Sequence, residues 1–257
     1  MTHPDPQALA RRAIASLDLT NLNDCCSEAD VIDLCARAAT PHGDTAAICI
    51  WPRFVALAKQ NLAGSAIRIA TVVNFPQGGE DTASVIAETD EAIVNGADEI
   101  DMVMAYRLVA DRPADAQTQI TAIRDAARGR LLKVILETGE LKDAALIRNA
   151  AEIAIAAGAG FIKTSTGKVD VNATPEAARI MLSVIADHDG RIGFKPAGGI
   201  RTLDDVALYF GLADEILGPD WATPKTFRIG ASSVLDALVA TLDDRAAEPR
   251  GGSGGGY

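Results

Sequence analysis

The chain has 257 residues, 48% of them apolar and 23% charged, with a formal charge of −11. That length allows one large α/β domain or two small ones and a substantial core. The acidic balance weighs against nucleic acid or an anionic membrane as the main partner, because both need a basic footprint. Four cysteines without a CxxC pair and three scattered histidines give no zinc site and no disulfide framework. MTHPDPQALARR carries no apolar signal core, and no apolar run reaches about 18 residues, so a cytoplasmic protein with reduced thiols is expected.

In chain order, the helical stretch PQALARRAIA precedes a short strand candidate, SLDLT (16–20). Seven apolar, β-branched runs follow: TAAICI (45–50), IRIATVVNF (67–75), DEIDMVMA (98–105), LLKVILETG (131–139), GFIKTSTG (160–167), RIGFKP (191–196) and FRIGAS (227–232). Their near-continuous apolar character suits strands covered on both faces, as in a parallel sheet. Amphipathic helices separate them. One has a stripe of Val85, Ile86, Thr89, Ile93 and Val94 and ends at Gly96. The next pairs Leu146, Ile147, Ala150, Ile153 and Ala154, with Gly158 as its stop. A third starts at Thr174 as N-cap and Pro175 at the first helical position, and stops at Gly190. TLDDVALYFGLADEIL reads as one helix despite its strand-like end.

Eight strand–helix units predict a (β/α)8 TIM barrel with an extra N-terminal helix. An open doubly wound sheet competes, but no GxGxxG follows the first strand. No long Pro/Ser/Gly linker occurs before residue 245. Residues 1–244 therefore read as a single barrel domain and 245–257 as a flexible Gly-rich tail.

Active sites of such barrels lie at the C-terminal strand ends. Asp18 closes the first candidate strand, Cys49 ends the second, and Asp101 lies in EIDMV. Lys133 and Glu137 lie in LLKVILETG, Lys163 in FIKTSTG and Lys195 in IGFKPAGG. Lys163 is the sharpest signal, because a lysine within a covered strand is rarely buried without a reason. Desolvation and a second ammonium both depress an amine's pKa, and a neutral amine is what Schiff-base chemistry needs. The alternative is a lysine that snorkels to the mouth or pairs with Asp101 or Glu137. Glu137 is either a charge partner at the mouth or a balance for Lys133. Three loops have the character of anion cradles: Thr166, Gly167 and Lys168; Gly198 and Gly199; and Gly230 with Ser232 and Ser233 opening the last helix. Ordinary turn and capping chemistry would use the same residues.

FIKTSTGKVDVNATPEAARIM, GFKPAGGIRT, LLKVILETGEL, GADEIDMV and RIGASS, with DLTNLN and TAAICIWPRF, resemble the deoxyribose-phosphate aldolases over nearly the whole chain. The resemblance implies reversible cleavage of 2-deoxy-D-ribose 5-phosphate to D-glyceraldehyde 3-phosphate and acetaldehyde, with no metal or organic cofactor. It implies Lys163 as the Schiff-base lysine, Lys195 as the second lysine and Asp101 as an acid/base residue working through water. Thr166, Gly167, Lys168, Gly198, Gly199, Ser232 and Ser233 would line the sugar-phosphate site. Asp18, Thr20, Leu22, Asn23, Cys49 and Phe75 would form the mouth on the acetaldehyde side. Another Schiff-base lyase or transferase, or a non-catalytic sugar-phosphate binder, remains as a competing reading. The sequence does not fix an oligomeric state; a homodimer is carried as an expectation. The tail GGSGGGY is long enough to bring Tyr257 back to the mouth, where the resemblance implies proton transfer at the enamine carbon; it also looks like a linker.

Overall fold

The structure, a computed structural model, describes residues 5–243. Eight strands form the sheet: β1 (Leu17–Asn21), β2 (Ala47–Ile50), β3 (Arg68–Val73), β4 (Glu99–Val103), β5 (Leu131–Ile135), β6 (Phe161–Lys163), β7 (Gly193–Lys195) and β8 (Ile229–Ala231). Their order is β8-β1-β2-β3-β4-β5-β6-β7, and every neighbouring pair is parallel. Isolated bridges at Phe194–Phe227 and Ala197–Gly230 join β7 to β8. There Arg228 N–H donates to the Phe194 carbonyl at 3.0 Å and Gly230 N–H to Pro196 at 2.9 Å. The sheet is thus closed into the expected (β/α)8 barrel.

Helix α1 (Pro6–Ala15) precedes the barrel. Between strands and after the last run α2 (Glu28–Ala38), α3 (Val55–Asn61), α4 (Thr82–Val94), α5 (Pro113–Ala126), α6 (Ala144–Ala156), α7 (Pro175–Asp187), α8 (Leu203–Leu217) and α9 (Val234–Leu242). Local chemistry sets their starts. Asp5 caps α1 with Pro6 behind it, Thr174 caps α7 with Pro175 behind it, and Ser27 and Thr202 form reciprocal capping boxes with Asp30 and Asp205. Among the described residues no helix is long and apolar enough to cross a membrane.

Strand alternation divides the core in two. Leu17, Leu19, Ile48, Ile50, Ile69, Ile100, Met102, Val134, Ile162 and Phe194 belong to the large cluster packed with the helices. The intervening positions fill the barrel. On one side these are small and apolar, with Ala47, Cys49, Ala70 and Val72 packed beneath Leu22. On the other they are ionic.

Four details depart from the sequence reading. Asp18 is the second residue of β1, not its end, since the strand runs on to Asn21. Val94 is 78% exposed, and α4 buries Val85, Thr89 and Ala92 instead, so its inward stripe is set nearer the helix middle. The run LLKVILETG leaves the ladder after Ile135, because Glu137 turns left-handed and starts a short helix, Thr138–Leu141. A two-residue ribbon, Ala39–Thr40 with Gly43–Asp44, joins α2 to β2.

Candidate active site

β4 carries Glu99 and Asp101 two residues apart, so both face the barrel interior. Asp101 is the hub. Its Oδ1 accepts from Lys133 Nζ at 2.7 Å, and its Oδ2 accepts from Lys195 Nζ at 2.7 Å and Lys163 Nζ at 3.0 Å. Strand register brings these together: Asp101 lies beside Lys133, and Lys163 beside Lys195. Lys195 also donates to Asp18 Oδ2 at 2.5 Å. Lys133 reaches Glu99 Oε2 at 2.6 Å and Asp18 Oδ2 at 3.5 Å. Arg228 binds Asp18 Oδ1 at 2.7 Å and both oxygens of Glu99 at 2.9 and 3.1 Å. All seven side chains are buried.

Four basic groups thus face three carboxylates. Lys133, Lys195 and Arg228 each engage two or more of them; among the described residues Lys163 forms an ion pair only with Asp101, and shares that oxygen. With Lys163 neutral the cluster balances, and a buried cluster strongly favours balance. The proton affinities follow. Burial and then the Lys195 charge push the Lys163 amine down against the opposing pull of Asp101. Burial would lower Lys195 too, but Asp101 and Asp18 outweigh it and hold that ammonium well above its usual range. Burial likewise opposes the charge on Asp101, yet Lys133, Lys195 and Lys163 keep its carboxyl well below the usual carboxylate range. A neutral Lys163 can donate an N–H to Asp101 and still present its lone pair to a carbonyl carbon.

The candidate anion loops lie at the same end. Thr166 and Gly167 are buried after β6, Gly167 at φ +85°, and Lys168 reaches Asp24 Oδ1 at 2.9 Å. Lys168 also sits 5.8 Å over the Trp51 ring. Gly198 and Gly199 have φ +85° and +84°, and a Cβ on Gly198 would lie 2.7 Å from the Asn172 side chain. Gly230 does not belong to a loop. It lies within β8, where a Cβ would come 3.0 Å from Lys195 Cε, so its role in the packing is to clear the lysine stem. Ser232 is half-buried, and Ser233 opens α9 without a side-chain capping bond.

The residues expected at the mouth divide. Leu22 and Cys49 are fully buried in the apolar half beside Trp51 and Phe75, whose rings meet edge-on at 5.5 Å. Burial and the Asp101 carboxylate push the Cys49 thiol up, which keeps it protonated. Asn23 is exposed, and its carbonyl accepts from Trp51 Nε1 at 3.0 Å. Thr20 is buried and donates to the Asp18 carbonyl at 2.8 Å. Asp18 is not at the mouth: its place on β1 sinks it into the ion cluster. Glu137 does not balance Lys133; it accepts the Thr166 N–H at 3.1 Å, and the Lys163 charge acts on its carboxyl through space. Tyr257 lies outside the described residues. Sequence reasoning noted Lys133 without giving it a role, and passed over Glu99 and Arg228 as members of the site. The signal was present: each is a charge inside an apolar run, and Glu99 stands two residues from Asp101.

A closed parallel barrel with a buried lysine, its proton affinity lowered, and a shared carboxylate at its centre has the equipment of a Schiff-base aldolase. The chain belongs to the DeoC/LacD family of aldolases, whose family model matches residues 12–213. It is 58% identical over 241 residues to a deoxyribose-phosphate aldolase of Agrobacterium fabrum, covering 92% of this chain and 93% of the relative. The fold is similar to that of a Coccidioides immitis protein assigned as a deoxyribose-phosphate aldolase (TM-score 0.80, 30% identity, 94% of this chain and 88% of that one). It is also similar to the tetrameric deoxyribose phosphate aldolase of Aeropyrum pernix (TM-score 0.76, 25% identity, 92% of each chain).

Proposed function

We propose that this chain cleaves 2-deoxy-D-ribose 5-phosphate reversibly to D-glyceraldehyde 3-phosphate and acetaldehyde through an imine on Lys163. One observation carries the assignment of the nucleophile: Lys163 is the fourth cation in a cluster of three carboxylates, with a single shared partner. Its lone pair attacks the sugar's aldehyde carbon, and the carbinolamine loses water to give a protonated imine. The C3 hydroxyl then gives up its proton as the C2–C3 bond breaks, and the bond's electrons pass into an enamine on Lys163. D-glyceraldehyde 3-phosphate leaves. Protonation of the enamine at carbon and hydrolysis release acetaldehyde and regenerate the amine.

In this reading Asp101 exchanges protons with the hydroxyls through water, and Lys195 keeps Lys163 neutral by its charge. Thr166, Gly167, Lys168, Gly198, Gly199, Ser232 and Ser233 hold the phosphate, which must be recognised locally because the protein is acidic overall. Leu22, Cys49 and Phe75 seat the two-carbon fragment, and Tyr257 serves the enamine carbon. The proposed setting is deoxynucleoside catabolism in the cytoplasm, as a homodimer. Borohydride added with acetaldehyde is expected to trap an adduct that peptide mass spectrometry places on Lys163, and Lys163→Ala is expected to lose cleavage while remaining folded. An intact wild-type enzyme that yields no adduct, or one only on surface lysines, refutes the reading.

A further inference from the structure

We propose that Glu137 is a positioning residue for anion recognition: the turn Glu137–Thr138–Gly139 after β5 is the template on which the loop after β6 takes its binding shape. The assignment of that loop to the substrate's phosphate rests on the function proposed above. Glu137 has φ 56° and ψ 57°, a left-handed conformation seldom kept by a residue with a long side chain. Its side chain is fully buried, and its Oε1 accepts the Thr166 N–H at 3.1 Å. Thr166 Oγ1 in turn accepts the Lys168 N–H at 3.0 Å, so one carboxylate fixes two residues of the loop in series. Thr138 N–H donates to the Thr164 carbonyl at 3.0 Å. At Gly139 a Cβ would stand 1.8 Å from the Val171 carbonyl, so the far side of the loop lies flat on the turn. Three consecutive residues thus touch residues 164–171 at three points.

The remaining oxygen, Glu137 Oε2, and the neighbouring Ser165 Oγ are buried without a hydrogen-bond partner among the described residues. Burial pushes the Glu137 carboxyl up, with the Thr166 hydrogen bonds opposing the rise. A buried carboxylate with half its capacity unused is poor stabilisation. It fits a residue retained for what it holds in place.

The test separates reach from backbone shape. Glu137→Asn tolerates the left-handed turn but is one methylene too short for Thr166; Glu137→Gly removes the side chain and relieves the turn; Glu137→Gln keeps an acceptor at full length. Inorganic phosphate is titrated calorimetrically against each, and KM and kcat are measured for 2-deoxyribose 5-phosphate and for 2-deoxyribose. Losing the bond that orders the loop is expected to weaken phosphate binding and raise KM for the phosphorylated sugar about tenfold in the Asn and Gly variants. Glu137→Gln is expected to restore both to within about threefold, and the Asn and Gly variants are expected to lose much less turnover of 2-deoxyribose than of the phosphorylated sugar. The proposal is overturned if the Asn and Gly variants bind phosphate like wild type, if wild type binds none, or if both sugars suffer equally. Acetaldehyde trapping on Lys163, run in parallel, reports separately on the reaction itself.

Discussion

Lys195→Met removes a buried charge while keeping the stem that Gly230 makes room for. In the wild-type barrel Lys195 and Lys163 donate to the same oxygen, Asp101 Oδ2, at 2.7 and 3.0 Å. Hydrogen-bond geometry at one oxygen then sets the two nitrogens about 4–5 Å apart. At an effective permittivity of about 20, two unit charges at that spacing repel by about 3–4 kcal/mol. That corresponds to about two to three pH units on Lys163. The variant also leaves Asp101 Oδ2 to Lys163 alone, which moves the amine further in the same direction. The sign is definite: the folded pKa rises, the neutral fraction at pH 7 falls, and imine formation falls with it. Removing one member of the buried network is also expected to cost about 3–5 kcal/mol of stability. The assay is the rate of borohydride-trapped adduct on Lys163 as a function of pH, at a temperature where circular dichroism shows the variant folded. The acid limb is expected to shift up by about two units or more, with trapping recovered toward wild-type rates at high pH. An acid limb that stays put, or a rate at pH 7 within about threefold of wild type, would mean that Lys195 does not set the state of Lys163.

Glu99→Gln strands Arg228 and Lys133, which bind that carboxylate at 2.6–3.1 Å. A loss of about 3–5 kcal/mol is expected, seen as a drop of about 6–20 °C in the thermal midpoint; a change under about 2 °C would show that the cluster reorganises without cost. Removal of Tyr257 alone is expected to slow exchange of the acetaldehyde methyl protons while leaving KM and the thermal midpoint unchanged. Unaltered exchange would detach the tail from the chemistry.

Much of the fold was legible because a barrel repeats one local rule. Apolar runs recur with helices between them, and most helices announce their start with a cap such as Thr174 or Thr202. Lys163, Lys195 and Asp101 were legible for the same reason, as charges in covered strands. The cluster that sets their protonation was not. Lys195 meets Asp18, 177 positions away, and Arg228 meets Glu99, 129 positions away, through strand stagger that no local pattern encodes. The left-handed turn at Glu137 was hidden too, because its sequence continues the apolar run without a glycine at that point.

The excess of one basic group over the carboxylates has a consequence for the chemical step itself. In the reaction proposed above, the imine on Lys163 must keep its proton to serve as an electron sink, although an iminium is a stronger acid than an ammonium. Its formation would place a fourth positive charge beside carboxylates that balance only three. That charge is short-lived: it appears as water leaves the carbinolamine and is discharged when the C2–C3 electrons pass into a neutral enamine. In that reaction the surplus would raise the iminium above the species on either side of it, favouring its collapse to the enamine in one direction and its hydrolysis to the free amine in the other.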